Sequence, residues 1–423
     1  MTGVTSGFVD RLYRYRTIFG LGLIALLAEL AYATLNQSAL PPYIDKSPPI
    51  GLGLGSGWLG WIMATFLMVE AVFRPPLGAL GDRIGRRPLL IAGPLASCAA
   101  AILIAHARHP GLLLSLRILD GLGAAAIWPT AFALVGDTVE ERNRSTAMSV
   151  LNVTYMVGIA LGPLLGGAIS ESTGSEKYAF YAVAALFALT MVVAIIVIPK
   201  GRPSHHRGES EETIENPGKF HLSYLLYSLR TIPHMLAMVF FAFCAIGLLI
   251  PIAKLYAMDV LKLSETQYGA MLLPVAAVLA LFAMPLGRIG DKWGRVESVR
   301  LGVALAAAAM WLLALVRATP MLVFGGSLLG AGFLMAMPAW LALVSQLTSS
   351  ANRGQILGSV MMAQGFGAIL GAVLGGYLYA GSVTFGEMDP HMAPLVLSAG
   401  LLTLTTLLAL VFLDRKALPG RMD

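Results

Sequence analysis

Twelve apolar segments, each long enough to cross a lipid bilayer, constrain what this chain can fold into. A membrane-spanning helix needs about 20 apolar residues, and the chain has a mean hydropathy of +0.76 with 12% charged residues. Lipid offers the backbone no hydrogen bonds, so apolar spans of this length are expected to be helices. The sequence therefore predicts an all-α membrane protein whose spans 1 to 12 cover residues 17–36, 58–77, 88–107, 111–136, 146–169, 178–198, 235–257, 268–287, 298–316, 320–344, 355–379 and 393–413.

Positively charged residues alternate between the two sides of the predicted membrane. The chain has 29 Lys and Arg residues. With both termini in the cytoplasm, the outer loops carry only Lys46, Arg108, Lys177, Lys262 and Arg317. This asymmetry is what the positive-inside rule expects. The net charge of +6 therefore indicates membrane orientation and not nucleic-acid binding. Because we recognise no targeting segment, we expect a prokaryotic inner membrane.

One long polar segment separates the two halves of the chain. Residues 199–219 contain charges, Pro and Gly without periodicity, which is typical of a cytoplasmic linker. Residues 220–230 place leucines on one face, which predicts a short helix on the membrane surface. The predicted domains are an N-terminal six-helix bundle (1–198), this linker with its interfacial helix (199–234) and a C-terminal six-helix bundle (235–423).

An internal repeat relates the halves at a constant offset of 209 residues. The charged phrase "GALGDRIGRR" at 78–87 returns as "GRIGDKWGR" at 287–295. The same offset relates further glycines and a proline, pairing Gly121, Gly123, Pro129, Gly158, Gly162 and Gly166 with Gly330, Gly332, Pro338, Gly367, Gly371 and Gly375. A parallel repeat of this kind is a recurrent plan of transporters, with the substrate site between the repeats.

Three motifs resemble those of the major facilitator superfamily. "GALGDRIGRR" resembles its loop 2–3 signature, and "RILDGLGAAA" at 117–126 resembles its fourth-helix motif. "GIALGPLLGG" at 158–167 resembles the fifth-helix pattern of 12-helix drug–proton antiporters, carried here by Gly158, Gly162, Pro163, Gly166 and Gly167. The chain departs from these patterns at Asp120, where many relatives have an amide, and at Ala372, the repeat counterpart of Pro163. The resemblance implies two pseudo-symmetric six-helix bundles and transport by alternating access.

The charged loop between spans 2 and 3 is predicted to be a cytoplasmic gate. Gly85 permits a tight turn, and Asp82 can accept N–H bonds from a helix start, which the resemblance places near Arg353. Arg86 could pair with Asp137 at the inner end of span 4. Asp291 and Arg295 would act likewise toward Arg144 and span 5. The alternative is that the charges only fix the orientation of the helices in the membrane. The predicted gate residues are Gly78, Asp82, Arg83, Gly85, Arg86, Arg87, Asp137, Arg144, Asp291, Arg295 and Arg353.

Three acidic residues, Glu29, Glu70 and Asp120, lie inside predicted spans. Ionisable groups at that depth are costly and indicate a function by default. Glu70 has Arg74 four residues later, and Asp120 has Arg117 three residues earlier, so each of these acids can be neutralised within its own helix. Glu29 has no such partner. It is therefore our first candidate for proton or cation coupling, followed by Asp120 and Glu70.

The remaining polar and adaptable side chains in the spans are candidates for the transport cavity. Arg74, Arg117 and Lys254 are predicted charge partners there, although Lys254 could instead snorkel to the membrane surface. Aromatic, amide and methionine side chains suit varied substrates, with helix packing as the alternative for each: Tyr32, Asn36, Trp128, Tyr155, Met335, Met337, Trp340, Met361 and Gln364. The glycine row of span 5 is expected to seal against span 8.

The function these features favour is secondary active transport, specifically proton-coupled export of amphipathic small molecules or drugs. The alternative is a lipid or lysolipid translocator, or an exporter of a metabolite such as a siderophore. The sequence has no H-E-x-x-H motif, nucleophile elbow, P-loop or metal-spaced His/Cys cluster, so we predict neither an enzyme nor a bound cofactor or metal. The expected partners are the substrate, protons and the bilayer, and we expect a monomer.

Overall fold

The structure, a computed structural model, consists of long helices joined by short connections. It describes residues 2–48, 51–138, 141–198, 232–287, 293–346, 353–381 and 390–413. Within these ranges, eleven helices are long and apolar enough to cross a membrane, and one bent pair of helices makes a twelfth span. Helices α1–α12 correspond to spans 1–12, so the predicted fold class is confirmed. Residues 199–231 of the predicted linker lie outside the described residues.

The first six helices extend beyond the predicted spans at most of their ends. Helix α1 comprises Thr2–Ala33, a π-helical turn at Thr34–Ala39 and a final segment Leu40–Asp45. A π-helix inserts an extra residue into the hydrogen-bond ladder, and such turns occur frequently at functional sites. The other five are α2 (Ser56–Ile84), α3 (Arg86–Ile104), α4 (Pro110–Thr138), α5 (Glu141–Thr173) and α6 (Glu176–Val197).

The last six helices begin with the bent pair. Helix α7 comprises Pro233–Leu249 and Ala253–Asp259, which meet at an angle of 42°. Pro251 lies in the break, where it cannot donate a backbone hydrogen bond. The remaining helices are α8 (Glu265–Gly287), α9 (Arg295–Leu315), α10 (Thr319–Gln346), α11 (Arg353–Tyr379) and α12 (Ala393–Phe412), with a single 3₁₀ turn at Pro390–Met392 before α12.

The chain forms two compact units. Unit 1 comprises Met1–Tyr43, Pro48–Leu52 and Thr65–Lys219, and unit 2 comprises Ile44–Ser47, Gly53–Ala64 and Phe220–Asp423. Unit 2 therefore includes the end of α1 and the start of α2, where Gly60 lies against the backbone of Ala372 and Val373 on α11. The domain boundaries drawn from the sequence stay a prediction.

The same helix pairs are packed in each unit, which confirms the repeat. In unit 1, α1 packs on α5 and α6, and α3 packs on α4 and α6; in unit 2, α7 packs on α11 and α12, and α9 packs on α10 and α12. Equivalent glycines permit close approaches in both units. A Cβ atom at Gly123 would lie 2.7 Å from the carbonyl oxygen of Gly93, and one at Gly332 would lie 2.5 Å from that of Gly302.

Apolar side chains fill the interior of each unit and also cover much of its surface. Buried clusters centre on Leu21, Leu90 and Val135 in unit 1 and on Met235, Trp340 and Val360 in unit 2. Large apolar side chains are also exposed, among them Phe19, Leu281 and Val411. Helices that are apolar on every side are suited to an apolar solvent, as the twelve spans require.

Candidate functional site

A buried charged cluster occupies the interior of unit 1. Arg117 on α4 is fully buried. One of its terminal nitrogens donates to Oδ2 of Asp120 at 2.6 Å, and the other donates to Oδ1 of Asn36 at 2.6 Å. Its guanidinium also lies 4.3 Å from the ring centre of Phe66 on α2. Three helices therefore hold this cation, and the predicted pairing of Arg117 with Asp120 is present.

Asp120 has one carboxylate oxygen without a hydrogen-bond partner among the described residues. Oδ2 accepts from Arg117, whereas Oδ1 is buried and unsatisfied. A buried polar atom without a partner is rare and costly in proteins. Nearby, the hydroxyl of Ser97 on α3 is 2.7 Å from that of Tyr32 and donates to the main-chain oxygen of Asp120 at 3.4 Å. The unsatisfied Oδ1 atom of Asp120 could accept a proton.

Glu29 is buried on α1, with 8% of its surface exposed. Within the described ranges of the chain, it forms neither an ion pair nor a hydrogen bond. A Cβ atom added to Gly158 of α5 would lie only 2.8 Å from the Cβ atom of Glu29. Glu70, in contrast, accepts from Arg74 at 2.6 Å. The distinction drawn from the sequence, an unpaired Glu29 beside a locally paired Glu70, is present in the structure.

The glycine row of α5 packs on α1, and the expected seal against α8 stays a prediction. A Cβ atom at Gly158 would lie 2.9 Å from the nitrogen of Leu30, and one at Gly162 would lie 2.8 Å from that of Thr34. The main-chain oxygen of Gly162 also accepts from the hydroxyl of Thr34 at 3.0 Å. Small residues let helix backbones approach closely. The motif therefore supports the helix that carries Glu29 and Asn36.

A second ion cluster lies in unit 2 and includes an acid that the sequence analysis missed. Lys254, with 1% of its surface exposed, donates to Oε2 of Glu265 at 2.8 Å. Lys46 donates to Oε1 of the same carboxylate at 2.8 Å. The alternative in which Lys254 snorkels to the surface is therefore wrong. Glu265 lies just before predicted span 8, in the first turn of α8, where the helix dipole favours negative charge.

The predicted substrate residues differ in their accessibility. Tyr32, Trp128, Met335 and Trp340 are buried, whereas Asn36, Tyr155, Met337 and Gln364 are half-buried and Met361 is exposed. The buried members pack against neighbours: the Tyr32 ring lies 4.8 Å from that of Phe187, and the Trp128 ring lies 5.0 Å from that of Tyr155. Met337 and Trp340 line a small apolar cavity inside unit 2 together with Phe243 and Phe333.

The two charged loops share a turn that only glycine adopts readily. Gly85 and Gly294 precede α3 and α9 with φ of +95° and +100°, a region that L-residues rarely occupy. Arg86 pairs with Asp82 at 2.5 Å, a contact within the loop that the sequence analysis did not predict. Arg295, predicted to act toward span 5, donates to the main-chain oxygen of Ala342 on α10 at 3.4 Å.

The other predicted gate residues are only partly described. Arg83 is exposed, and Arg87 donates to the main-chain oxygen of Ile195 at the end of α6 at 2.8 Å. A Cβ atom at Gly78 would be in ordinary contact with Pro129. Asp291 and the side chains of Asp137, Arg144 and Arg353 lie outside the described residues, so their pairings stay predictions.

Twelve spanning helices in repeated units, with ionisable groups buried inside them, define a polytopic membrane transporter. The family model of the Major Facilitator Superfamily matches residues 21–235 and 235–421. The chain belongs to this family, whose members are transporters and not enzymes.

Curated relatives are resistance proteins of low sequence identity. The class B tetracycline resistance protein of Escherichia coli is 25% identical over 76% of this chain and 78% of its own. The chloramphenicol resistance protein of Pseudomonas aeruginosa is 27% identical over 84% of this chain and 80% of its own. Multidrug resistance protein MdtG of Klebsiella pneumoniae (strain 342) is 25% identical over 81% of this chain and 82% of its own.

Solved structures share the fold at still lower identity. The nucleoside transporter NupG superimposes with a TM-score of 0.74 at 14% identity, covering 94% of this chain and 98% of that one. A bacterial homologue of the human lysosomal transporter Spinster, in an inward-facing and unoccupied conformation, has a TM-score of 0.74 at 18% identity. The match covers 95% of this chain and 98% of that one. These likenesses bear on the fold alone. The protein is thus an integral membrane transporter of small molecules.

Proposed function

We propose that this transporter is a proton-coupled exporter of amphipathic small molecules that works by alternating access. The observation that carries the proposal is Glu29, a buried carboxylate without an ion-pair partner among the described residues. An isolated buried charge is too costly to maintain. Such a carboxyl group therefore holds either a proton or a cationic partner. The tetracycline, chloramphenicol and multidrug resistance proteins among the relatives are consistent with export.

Exchange at Glu29 would link the two fluxes. A proton entering from outside would displace a bound cationic substrate, and a new substrate would displace the proton inside. Asp120 is the second coupling group, because its Oδ1 atom is available for a proton. Glu70 ranks third, since Arg74 already neutralises it. Energy would come from the proton gradient.

The substrate surface would combine the accessible members of the predicted set. Met361 and the half-buried Tyr155, Met337 and Gln364 offer apolar and amide contacts, and methionine adapts to ligands of different shape. The charged loops around Gly85 and Gly294 would close the cytoplasmic side during the cycle. We place the protein in a prokaryotic inner membrane as a monomer with both termini in the cytoplasm.

The alternative cargo, a lipid or an anionic metabolite such as a siderophore, needs free cations to hold its head group. Arg117 and Lys254 each have a carboxylate within hydrogen-bond distance. Arg74 is partly exposed but is bonded to Glu70. Since all three cations already have acidic partners, the contacts favour export of neutral or cationic molecules.

The test combines a ligand screen with a measurement of proton exchange. Thermal-shift assays with tetracycline, chloramphenicol, lipophilic cations, anionic metabolites and lysolipids at two pH values would identify a substrate. The purified protein should then release protons when that substrate is added, and proteoliposomes should transport it under an imposed pH gradient. Preference for anionic lipids, lost in Arg117→Ala, would instead support the lipid translocator.

The decisive variant is Glu29→Gln, which keeps the side-chain volume and removes the titrating group. We expect it to bind substrate but to lose both proton release and gradient-driven transport. Glu171→Gln, which alters an exposed acid at the end of α5, is the matched control and should retain both. If Glu29→Gln releases protons and transports as the wild type does, Glu29 is not the coupling group.

A further inference from the structure

Asp120 is fully buried, so a proton from solvent can reach it only through neighbouring groups. None of its surface is exposed, and the same is true of its ion-pair partner Arg117. An arginine side chain in a protein keeps its protons, so this guanidinium does not pass them on. Glu29, with 8% of its surface exposed, is the more accessible of the two carboxylates. If both carboxylates take part in one transport cycle, a route for protons must connect them.

Two buried hydroxyl groups connect α1, which carries Glu29, to α4, which carries Asp120. The hydroxyl oxygen of Tyr32 on α1 lies 2.7 Å from Oγ of Ser97 on α3. Ser97 donates to the main-chain oxygen of Asp120 at 3.4 Å, and its hydroxyl also faces the carboxyl group of that residue. The Oδ1 atom there has no partner among the described residues. Since a hydroxyl group both donates and accepts hydrogen bonds, the pair can pass a proton in either direction.

Helical spacing places Tyr32 beside Glu29. The two residues are three positions apart on α1, so their side chains lie on one face. Helical side chains also tilt toward the N-terminus, which directs Tyr32 toward Glu29. The carboxylates that act electrostatically on the Tyr32 hydroxyl are those of Asp120, Glu70 and Glu29, and Arg117 is the cation beside Asp120. Because Glu29 makes no hydrogen bond to another described residue, its carboxyl group can turn toward the tyrosine without breaking one.

The aromatic surroundings hold the Tyr32 hydroxyl at Ser97. The Tyr32 ring lies 4.8 Å from that of Phe187 on α6, edge to face, and 5.8 Å from that of Phe66 on α2. A tyrosine whose ring is packed on two sides has little freedom to point its hydroxyl elsewhere, and a buried hydroxyl needs a hydrogen-bond partner. Tyr32 was predicted to contact substrate. Its burial and its bond to Ser97 favour a role inside unit 1.

We propose that the hydroxyl groups of Tyr32 and Ser97 form a relay that carries a proton between the two coupling carboxylates. The proposal rests on the proton-coupled transport proposed above and deepens it, because it assigns Tyr32 to a proton pathway. Glu29 gives its proton to the Tyr32 oxygen, and Tyr32 gives its own hydroxyl hydrogen to Oγ of Ser97. Ser97 then gives its hydrogen to the carboxylate of Asp120. Each hydroxyl gains one proton as it loses one, so Glu29 ends as a carboxylate and Asp120 ends neutral.

The test measures how fast a proton reaches Asp120, without any ligand. A laser releases protons from a caged acid around the purified full-length protein, and time-resolved infrared spectroscopy follows the C=O stretch of protonated carboxyl groups. The band that is missing in Asp120→Asn reports on that residue. Tyr32→Phe keeps the ring and removes the hydroxyl, and Ser97→Ala removes the second hydroxyl. We expect this band to grow at least about 100-fold more slowly in either variant, the lower end of what a positioned proton-transfer group contributes.

Each relay variant has a matched control outside the relay. Tyr43→Phe makes the same change on α1, where the buried Tyr43 hydroxyl donates to the main-chain oxygen of Ala107 at 3.0 Å. Ser398→Ala removes a buried hydroxyl of unit 2 that donates to the main-chain oxygen of Ala245 at 2.8 Å. Both controls lose one buried hydrogen bond, as the relay variants do, and both should protonate Asp120 at the wild-type rate. A loss of stability alone therefore does not reproduce the expected effect.

The outcomes separate the relay from the proposed function. Rates in Tyr32→Phe and Ser97→Ala equal to those of their controls overturn the relay. The double variant should be no slower than the slower single variant, because one break already interrupts the relay, and effects that multiply would overturn it too. If Asp120→Asn loses no band, Asp120 takes up no proton and the relay fails. Coupling at Glu29 would survive each of these results, whereas proton release and transport that persist in Glu29→Gln would end that coupling.

Discussion

Replacing Gly162 by alanine tests whether α1 and α5 approach as closely as the structure shows. A Cβ atom at this position would lie 2.8 Å from the nitrogen of Thr34 and closer still to the Cβ of Ala33. Heavy atoms in ordinary contact are roughly 3.5–4.0 Å apart. The two helices would therefore have to separate by about 1 Å, within a row of glycines that already brings their backbones together.

The magnitude follows from two opposing terms. Overpacking of this kind costs about 1–3 kcal/mol in free energy of unfolding, whereas replacing glycine by alanine inside a helix gains about 0.5–1 kcal/mol. Gly162→Ala should therefore lose about 1–2 kcal/mol net. The control is Gly400→Ala on α12, where a new Cβ meets no atom within 4 Å. Only the favourable term applies there.

The assay follows how much of the protein remains monodisperse in detergent after heating, which gives an apparent melting temperature. We expect Gly162→Ala to melt below the wild type and Gly400→Ala to melt at or above it. Displacement of α1 should also move Glu29 and Asn36, so proton release by Gly162→Ala should fall by more than its loss of stability explains. A melting temperature of Gly162→Ala equal to that of the control would refute the helix contact.

Two further changes probe charge and backbone conformation. Glu265→Gln removes the carboxylate beside the fully buried Lys254, and we expect a loss of about 3–5 kcal/mol, seen as a lower melting temperature and partly reversed by adding Lys254→Met. Changing the partly exposed Lys46 to Gln should cost no more than about 1 kcal/mol; a larger loss than that of Glu265→Gln would contradict the assigned burial. Gly85→Ala and Gly294→Ala force a side chain into positive φ, so each should lose about 1–3 kcal/mol. Unchanged melting temperatures would show that the two turns differ from those described.

Much of the candidate site follows from spacing along single helices. The pairs Glu70–Arg74 and Arg117–Asp120 lie within one or two turns of a helix, and helical geometry brings residues three or four positions apart into contact. Both pairs are visible in the sequence and present in the structure. That Glu29 has no partner within its own helical turn is equally a property of spacing, because no basic residue lies within one turn of it.

Contacts between helices could not be predicted from the sequence. Asn36 was expected to face substrate, yet an irregular turn of α1 directs its amide to Arg117, and no local pattern signals a π-helical turn. The glycine row of α5 predicted a close helix contact, and its packing on α1 was not part of that prediction. Glu265 was overlooked because its two lysine partners lie at distant positions in the chain.

The sequence by itself determined the number and type of elements and the repeat. Apolar length and the lack of hydrogen-bonding partners in lipid leave a chain of this composition no other regular structure. The partners of each buried charge were decided only by the tertiary structure, because they depend on how helices rotate against one another. A single extra residue in the π-helical turn of α1 changes that rotation, and hydropathy and helical periodicity do not register it.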